Sequence, residues 1–422
     1  MGKSDKHIGK VISEANRNPI PILYPPSGRL KKSALAIARC ITGQKRRQDS
    51  TSFSEAPRFF IQSLGGIGNT LMATPLIAEV KRIYPHAMID VYTTSAAATL
   101  LRHNSNVNAI MEDRSVQSNW GGRFGKIMGS NYLSVIVQLR KARYDIALLA
   151  VNSIDIKSGL RPILSKIPTT VIHGYPFRRE DDYTFLFSHI VPYLHQHDCV
   201  SNLDLLRAIT NSPVCNARME LNIPAQYIMR AQGILKDKRI DEKVPIIGIC
   251  PGCRDWARDK RWPIEKFARL VKEVLSMDRA VQIMAVCGPH ETAEANALQK
   301  AVVDERFAVV NDIDILDFAA VLQRCAAVVT NDSLPMHLCS SLSVPVVALF
   351  GPTDPIRVGP WLCPSSVLSS TAEYAPYFNM PYFSDLGVGD NCIDTIEVEH
   401  VLSAVMKLRE DHAALTEREV GI

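Results

Sequence analysis

Two apolar runs, on either side of a polar turn and a short helix-compatible segment, restrict the fold of this chain most. The first run, 326–329, leads into Thr330-Asn331-Asp332-Ser333, whose residue types favour helix N-caps. The segment 335–342 is suited to a short helix, since proline is tolerated in a first turn. The second run, 344–350, has the composition of another strand. The order strand, cap, helix, strand predicts a βαβ unit of a parallel sheet.

The ends of these two predicted strands carry the polar side chains of the region. Units of this kind place ligands at the carboxyl ends of their strands, against helix N-termini. Asp332, Ser333 and His337 follow the first strand, and Thr353 and Asp354 follow the second. We therefore expect a pocket for a ligand that carries hydroxyl groups and negative charge.

Length and the alternation of strands and helices indicate two α/β domains. A chain of 422 residues exceeds one ordinary hydrophobic core, so two domains and a tail are expected. Strand-like runs at 59–64 and 246–250 each begin a series of alternating strands and helices, which is typical of doubly wound sheets. The predicted divisions are a leader at 1–57, an N-terminal domain at 58–220, a connector at 221–243, a C-terminal domain at 244–410 and a tail at 411–422.

Positive charge is concentrated in the first fifty residues. They hold eleven Lys or Arg residues against three acidic residues, a surplus larger than the net charge of +5 of the whole chain. Nucleic acid is not an expected partner, because duplex-binding proteins carry a basic face on their folded part. Residues 28–42 could form a helix with one apolar face and cations largely off that face. We expect weak contact with an anionic membrane through residues 28–47; a solvated basic leader is the alternative.

The cysteines and the hydropathy pattern bear on location and cofactors. Ten cysteines are scattered along the chain, and several of them lie in predicted strands or helices. This distribution is typical of buried free thiols in a reducing compartment. Cys250 and Cys253 form a CxxC pair, but no second pair stands near enough to complete a zinc site. No run approaches the ~20 apolar residues of a membrane span. We expect a cytoplasmic protein, free or on the inner membrane surface, with no metal and no cofactor.

Two further loops carry candidate ligand-binding residues. The turn Gly65-Gly66-Ile67-Gly68-Asn69 follows a strand and opens a helix, so its backbone can approach a ligand closely. It is not a dinucleotide fingerprint, because Leu71 stands where the last glycine is required. Lys260-Arg261-Trp262-Pro263 precedes a helix, and cations at a helix N-terminus suit a diphosphate leaving group when no metal is present. Alternatively, this loop is solvated and Trp262 only packs.

Five segments together point to a known family. They are GGIGNTLMATPLIAEVKRIYP (65–85), NLDLLRAI (202–209), PGCRDWARDKRWPIEKFARL (251–270), NDSLPMHLCSSLSVPVVALFGPTDP (331–355) and NCIDTIEVEHVLSAV (391–405). The chain resembles glycosyltransferase family 9, the group of the lipopolysaccharide heptosyltransferases, from Arg58 to about Leu408. The five segments occur in the order and with the spacing that this family shows. The two C-terminal motifs are quite specific, whereas the N-terminal turn alone is not.

The resemblance implies a GT-B fold, two facing Rossmann-like doubly wound domains with the active site in the cleft. It implies inverting, metal-independent transfer of a sugar from a nucleotide-diphosphate donor, often ADP-heptose. The C-terminal domain would hold the donor. The N-terminal domain would hold the acceptor, a cell-surface glycan or a lipid-linked sugar.

The resemblance also assigns donor-side residues. Lys260 would meet the donor phosphates, and Asp332 would bind sugar hydroxyls at the catalytic centre. The helix after Asp332 would turn its first N–H groups towards the diphosphate, and His337 in that turn either contacts the ligand or packs within the protein. The remaining donor-binding residues would be Gly252, Ser333, Leu334, Pro335, Met336 and Thr353.

The acceptor side departs from the family pattern. Its loop would be formed by Gly66, Gly68, Asn69 and Thr70. Heptosyltransferases usually carry an Asp at the position of Asn69, and that Asp is taken as the base that activates the acceptor hydroxyl. An amide cannot accept the proton, so another carboxylate or a His is the base, or Asn69 only positions the acceptor, or catalysis is weak. Leu334 is a second departure, since the family favours Gly there.

These observations predict a glycosyltransferase and leave two alternatives. Asn69 and Leu334 also fit a catalytically impaired homologue that binds a nucleotide-sugar or a glycan. A sugar-nucleotide epimerase of GT-B shape is the other alternative, and it would need no acceptor.

Overall fold

The computed structural model describes residues 53–113, 130–151, 156–174, 184–373, 375–376 and 392–420. The predicted leader up to residue 52, including the expected membrane segment 28–47, lies outside these residues. Contacts divide the described chain into two units, and the division falls between Glu220 and Leu221.

The N-terminal unit alternates strands and helices around one parallel sheet. Its strands are β1 (Arg58–Ser63), β2 (Met88–Thr94), β3 (Ala109–Asp113), β4 (Ile146–Leu149), β5 (Thr169–Gly174) and β6 (His189–Pro192). Its helices are α1 (Ile67–Leu71), α2 (Thr74–Ile83), α3 (Ser95–Leu101), α4 (Ser130–Ala142), α5 (Ile156–Leu164) and α6 (Asp198–Arg207). The described strands pair in the order β3-β2-β1-β4-β5-β6.

Both faces of this sheet are covered, which explains why its strands read as continuous apolar runs. Phe59 and Ile61 of β1 pack on one face with Leu76 of α2. Phe60, between them in the strand, packs on the other face with Leu139 of α4. Helices on both faces are the arrangement expected of a doubly wound domain.

The C-terminal unit repeats this plan. Its strands are β7 (Ile246–Cys250), β8 (Gln282–Val286), β9 (Phe307–Val310), β10 (Ala327–Asn331), β11 (Val346–Phe350) and β12 (Ser365–Ser369). Its helices are α7 (Ala225–Asp237), α8 (Ile264–Met277), α9 (Thr292–Ala301), α10 (Ile315–Leu322), α11 (Leu334–Leu342), α12 (Pro355–Val358) and α13 (Val398–Val420). The described strands pair in the order β12-β11-β10-β7-β8-β9.

In each sheet the first and fourth strands are neighbours, β1 beside β4 and β7 beside β10. The strand order reverses there, and open α/β sheets bind ligands at the carboxyl ends of the strands at such a reversal point. The expected doubly wound α/β class is confirmed for both units. The βαβ unit predicted for 326–350 is β10, α11 and β11.

Helices also occupy the segments predicted to lie between and after the domains. α7 falls within 221–243 and packs on α10, with Ala231 and Leu235 buried. α13 continues to Val420, across the predicted division at residue 410. None of the described helices is long and apolar enough to cross a membrane.

One buried histidine links the stability of the N-terminal unit to pH. His173 of β5 is buried, and its Nε2 lies 2.9 Å from the carbonyl oxygen of Ser201. Burial lowers the pKa of the imidazole from 6.5 to about 4, because the charged form would lose its hydration. As pH falls from 6.5 to about 4, the unfolded chain therefore binds a proton that the folded chain does not.

We predict that this difference lowers the free energy of unfolding by about 3 kcal/mol across that window. His173→Gln keeps a donor for the Ser201 carbonyl but does not titrate, so it should remove this part of the pH dependence in urea unfolding curves. As a control, His86→Gln removes an exposed histidine of the same unit, so it should retain the wild-type slope. Equal slopes in wild type and His173→Gln would show that the histidine does not control this dependence.

Candidate functional site

The connection between β10 and α11 carries the central residues of the predicted donor site. β10 extends to Asn331, two residues beyond the predicted strand, and α11 begins at Leu334. Asp332 and Ser333 thus form the whole connection, at a carboxyl strand end beside the reversal point. Asp332 is 5% exposed, and its N–H donates to the Leu349 carbonyl at 3.0 Å. This tight connection fixes a carboxylate at the N-terminus of α11.

A buried ion pair joins this connection to the loop before α8. Lys260 Nζ lies 2.8 Å from Asp332 Oδ2, and the side chains are 13% and 5% exposed. Burial alone would raise the pKa of the Asp332 carboxyl, but the Lys260 charge and hydrogen bond, with the Thr353 hydroxyl and His337, hold that pKa below its usual value. Asp332 is therefore ionised at neutral pH. The structure brings together two residues that the sequence predicted for the donor phosphates and the sugar.

Thr353 and His337 lie around the same carboxylate. Thr353 follows β11 and is 8% exposed, and His337 is 7% exposed in the first turn of α11. Both affect the pKa of Asp332, so both are within electrostatic reach of its carboxylate. Asp354, expected at the same strand end, caps α12 instead, by accepting a backbone N–H at 3.0 Å.

The N-terminus of α11 has no side-chain cap within the described residues. Ser333 occupies the cap position, but its hydroxyl donates to the Gly252 carbonyl at 3.4 Å. Pro335 has no N–H, so it cannot supply one of the amide donors expected here. The Met336 N–H donates to the Ser333 carbonyl at 3.2 Å. The Leu334 amide is therefore the first N–H of this positively polarised helix end.

A carboxyl group that sequence reasoning missed lies against Gly252. A Cβ added at Gly252 would fall 1.8 Å from Glu291 Cδ, so a larger residue would displace that carboxyl. Glu291 Oε2 accepts the Gly288 N–H at 2.7 Å, and burial raises the pKa of the carboxyl. In the sequence, this position is marked only by the fact that Glu291 is an acidic residue shortly after β8, the strand that pairs with β7.

Trp262 has the packing role that the alternative interpretation expected. It is 1% exposed, its indole N–H donates to the Ile396 carbonyl at 2.9 Å, and it meets the Phe267 ring edge-on with centroids 4.9 Å apart. Lys260, two residues earlier, is nevertheless paired and largely buried rather than solvated. The buried Trp262 therefore anchors the same loop that carries Lys260.

Cys250 and Cys253 are free, buried thiols. Burial raises the pKa of both, so neither has the thiolate character of a reactive cysteine. Among the residues that the structure describes, no group of three or more His, Cys, Asp or Glu side chains is placed to hold a metal ion.

In the N-terminal unit, Asn69 closes the glycine-rich turn after β1. Gly66 is the N-cap of α1, and Asn69 Oδ1 accepts the Gly66 N–H at 2.8 Å while the Asn69 N–H donates to the Gly66 carbonyl at 3.0 Å. The Asn69 side chain thus makes one half of a capping box, and the Gly66 carbonyl takes the place of the N-cap side chain in the other half. A Cβ at Gly65 would lie 2.6 Å from Asn69 Cγ, so the folded-back amide requires glycine there.

The other residues of the predicted acceptor-side loop complete this turn. Gly68 lies within α1, and its carbonyl accepts the Met72 N–H at 2.9 Å. Thr70 is buried, with its hydroxyl 3.3 Å from Ser63 Oγ and 3.0 Å from Thr93 Oγ1. The Thr70 side chain thus links β1, α1 and β2 in the interior of the unit.

A buried guanidinium near the same sheet edge was also missed. Arg161 of α5 is 3% exposed, donates to the Gln62 carboxamide of β1 and lies 3.8 Å from the Asp113 carboxylate of β3. Its Cζ lies 4.2 Å from the centre of the Tyr92 ring of β2. No local pattern indicated this cluster, because its members come from four separate elements.

We predict that substitutions at Asn69 will show its contribution to stability independently of any role in the reaction. Asn69→Asp retains an acceptor for the Gly66 N–H and adds negative charge at a helix N-terminus, so thermal stability should be retained or rise slightly. Asn69→Ala should lose about 1 kcal/mol of unfolding free energy. Asn296→Ala removes the same amide from an exposed position on α9 and should cost nothing measurable. Wild-type stability in Asn69→Ala would contradict the capping role.

The family model and the curated relatives of this chain agree on one family. The family model described as glycosyltransferase family 9 (heptosyltransferase) matches residues 132–383. Lipopolysaccharide heptosyltransferase 3 of Escherichia coli K12 is 24% identical over 371 residues, which are 84% of this chain and 99% of that protein.

Two solved structures show the likeness in three dimensions. The glycosyltransferase family 9 structure from Veillonella parvula has a TM-score of 0.71 at 20% identity and covers 86% of this chain and 100% of its own. The E. coli ADP-heptose lipopolysaccharide heptosyltransferase II structure has a TM-score of 0.64 at 21% identity, with 84% and 99% covered. The expected GT-B fold class is confirmed by this likeness. Since the family model covers more than half of the chain, the protein is a glycosyltransferase that belongs to family 9.

Proposed function

We propose that the protein transfers a heptose-type sugar from a nucleoside diphosphate donor to a hydroxyl of a lipopolysaccharide-type acceptor, with inversion and without a metal ion. The observation that carries this proposal is the buried Lys260–Asp332 pair at the N-terminus of α11. The E. coli heptosyltransferase II named above is an ADP-heptose enzyme. This favours ADP as the nucleotide of the donor.

The donor-side geometry suits a diphosphate leaving group. An ammonium has three N–H donors, so a lysine can contact a carboxylate and a phosphate at the same time. The N-terminus of α11 adds the partial positive charge of a helix end. The fold positions both groups, so they can stabilise the negative charge that develops as the diphosphate departs.

Asp332 supplies the complementary group for the sugar. An ionised carboxylate only accepts hydrogen bonds, so it binds hydroxyl groups and repels phosphate. The low pKa keeps this carboxylate ionised at neutral pH. The pair can therefore orient the donor, with its phosphates towards Lys260 and its hydroxyls towards Asp332.

The proposed reaction is a single displacement. The acceptor hydroxyl oxygen forms a bond to the anomeric carbon, the bond from that carbon to the diphosphate oxygen breaks, and the nucleoside diphosphate leaves. The hydroxyl proton passes to a base. Asn69 cannot be that base, because its oxygen is a weakly basic amide acceptor that already binds the Gly66 N–H.

Asn69 also supports a second candidate, a homologue that binds a nucleotide-sugar or glycan without turning it over. In this case the donor half of the site keeps its binding role and the acceptor half has lost its carboxylate. The two candidates make the same prediction for donor binding and opposite predictions for transfer.

We predict that calorimetric titration with ADP-, GDP- and UDP-sugars will detect binding, tightest for ADP-heptose. Lys260→Met and Asp332→Ala should each reduce transfer by about 10²- to 10³-fold, because each removes fixed charge from the site. The control Lys272→Met removes a lysine that is exposed on α8 and should retain wild-type binding and transfer. Binding of none of the three donors would overturn the proposal.

Asn69→Asp in the same assay separates the two candidates. Transfer by wild type establishes an enzyme with a base other than Asn69, and transfer only by Asn69→Asp establishes a binding homologue that has lost its base. An altered sugar formed from the donor alone, with no acceptor, would identify an epimerase.

We also propose a cytoplasmic location with peripheral contact to the inner membrane, on the basis of the basic segment 28–47 in the sequence. The full chain should co-sediment with vesicles rich in phosphatidylglycerol, and added salt should weaken this binding. Deletion of residues 28–47 should abolish co-sedimentation, whereas deletion of residues 3–22, an equal length of the same leader, should reduce it less. Unchanged co-sedimentation after the first deletion would refute the assignment.

A further inference from the structure

A buried carboxamide connects the loops of the donor site. Asn331, the last residue of β10, is fully buried and immediately precedes Asp332. Its Nδ2 donates to the Pro251 carbonyl at 2.7 Å, and its Oδ1 accepts the Trp262 N–H at 3.0 Å. One side chain therefore satisfies a backbone acceptor and a backbone donor that lie in the interior of the unit.

The two partners of Asn331 are the two ends of one loop. The segment 251–262 leaves β7 at Pro251 and reaches α8 through Trp262. Gly252 lies at its beginning and Lys260 near its end. Asn331 thus holds both ends of this loop against the strand that presents Asp332, at the point where β7 and β10 lie side by side.

The chemistry of this position requires an amide. A primary amide donates through nitrogen and accepts through oxygen, so asparagine can satisfy both backbone groups at once. Leucine has the same branched shape and the same number of side-chain heavy atoms, and it would leave the Pro251 carbonyl and the Trp262 N–H without their side-chain partner. Buried polar groups that lose their partner are costly, so the loop would have to move to regain hydrogen bonds.

We propose that Asn331 is a positioning residue for the donor, which fixes Lys260 beside Asp332 through the loop 251–262 and so sets donor affinity without touching the ligand. This inference rests on the proposed function for the identity of the ligand. The hydrogen bonds on which it depends are independent of that function.

The N-terminal unit supplies a matched control. Asn202 of α6 is buried, its Nδ2 donates to the Met72 carbonyl at 3.0 Å, and its Oδ1 accepts the Val151 N–H at 2.8 Å. The bonds are of the same kind and number as those of Asn331, but they lie in the other unit. Loss of Asn202 should therefore destabilise folding in a similar way without moving the donor loop.

The experiment compares Asn331→Leu with Asn202→Leu by titration with ADP and by hydrogen–deuterium exchange of the ligand-free proteins. We expect Asn331→Leu to weaken ADP binding by about tenfold or more, equivalent to about 1.4 kcal/mol, and to speed exchange across residues 251–262. Asn202→Leu should bind ADP as wild type does and should leave exchange in that segment unchanged. Asn331→Ser, a smaller change, provides the same comparison if the leucine variant does not fold.

The outcomes distinguish this inference from the proposed function. Wild-type ADP affinity in the Asn331 variants overturns the positioning role and leaves the proposed function intact. If wild type binds no nucleotide, the proposed function fails, and the exchange data then decide whether Asn331 holds the loop. Equal exchange across residues 251–262 in the Asn331 and Asn202 variants overturns the inference on its own.

Discussion

The side-by-side placement of the first and fourth strands in each sheet is the constraint on which the rest of this structure depends. At β1 beside β4, and at β7 beside β10, the strand order reverses. The loops that leave these strands diverge, so the carboxyl ends beside the reversal point remain available to polar groups and ligands. The glycine-rich turn after β1 and the loops after β7 and β10 all occupy this position.

Several polar groups at these strand ends are buried and matched by a specific partner. A buried ion pair contributes little to stability, because both charges lose their hydration. The burial of Lys260 and Asp332 is therefore better explained by function than by folding. Asn331 and Asn202 solve a related problem in the two units, since each uses one amide to satisfy two backbone groups and so holds the adjacent loops in place.

The turn at Asn69 shows that local stability and chemistry can be distinct properties of one position. The hydrogen bond from the Gly66 N–H needs only an acceptor on the side chain of the third helical residue, and an amide or a carboxylate can be that acceptor. Proton transfer needs basicity, which only the carboxylate has. An asparagine in place of an aspartate at position 69 can therefore preserve the turn while it removes a base, and the backbone structure stays the same.

The sequence by itself determined the alternation of strands and helices, the βαβ unit around Asp332, the glycine-rich turn and the candidate roles of Lys260 and Asp332. These features follow from local composition, periodicity and short motifs, which need no knowledge of distant residues. The ends of the three elements of the βαβ unit differed from the prediction by one or two residues.

Only the tertiary structure decided which side chains meet. Asn331 forms hydrogen bonds with Trp262 and Pro251, which precede it in the sequence by 69 and 80 positions. Lys260 pairs with a carboxylate that follows it by 72 positions. Glu291 comes to lie against Gly252, and Arg161 comes to lie among residues of three strands, for the same reason. Parallel strands bring such residues together only after the order of the sheet is set, and that order is a property of the packed domain rather than of any segment in it.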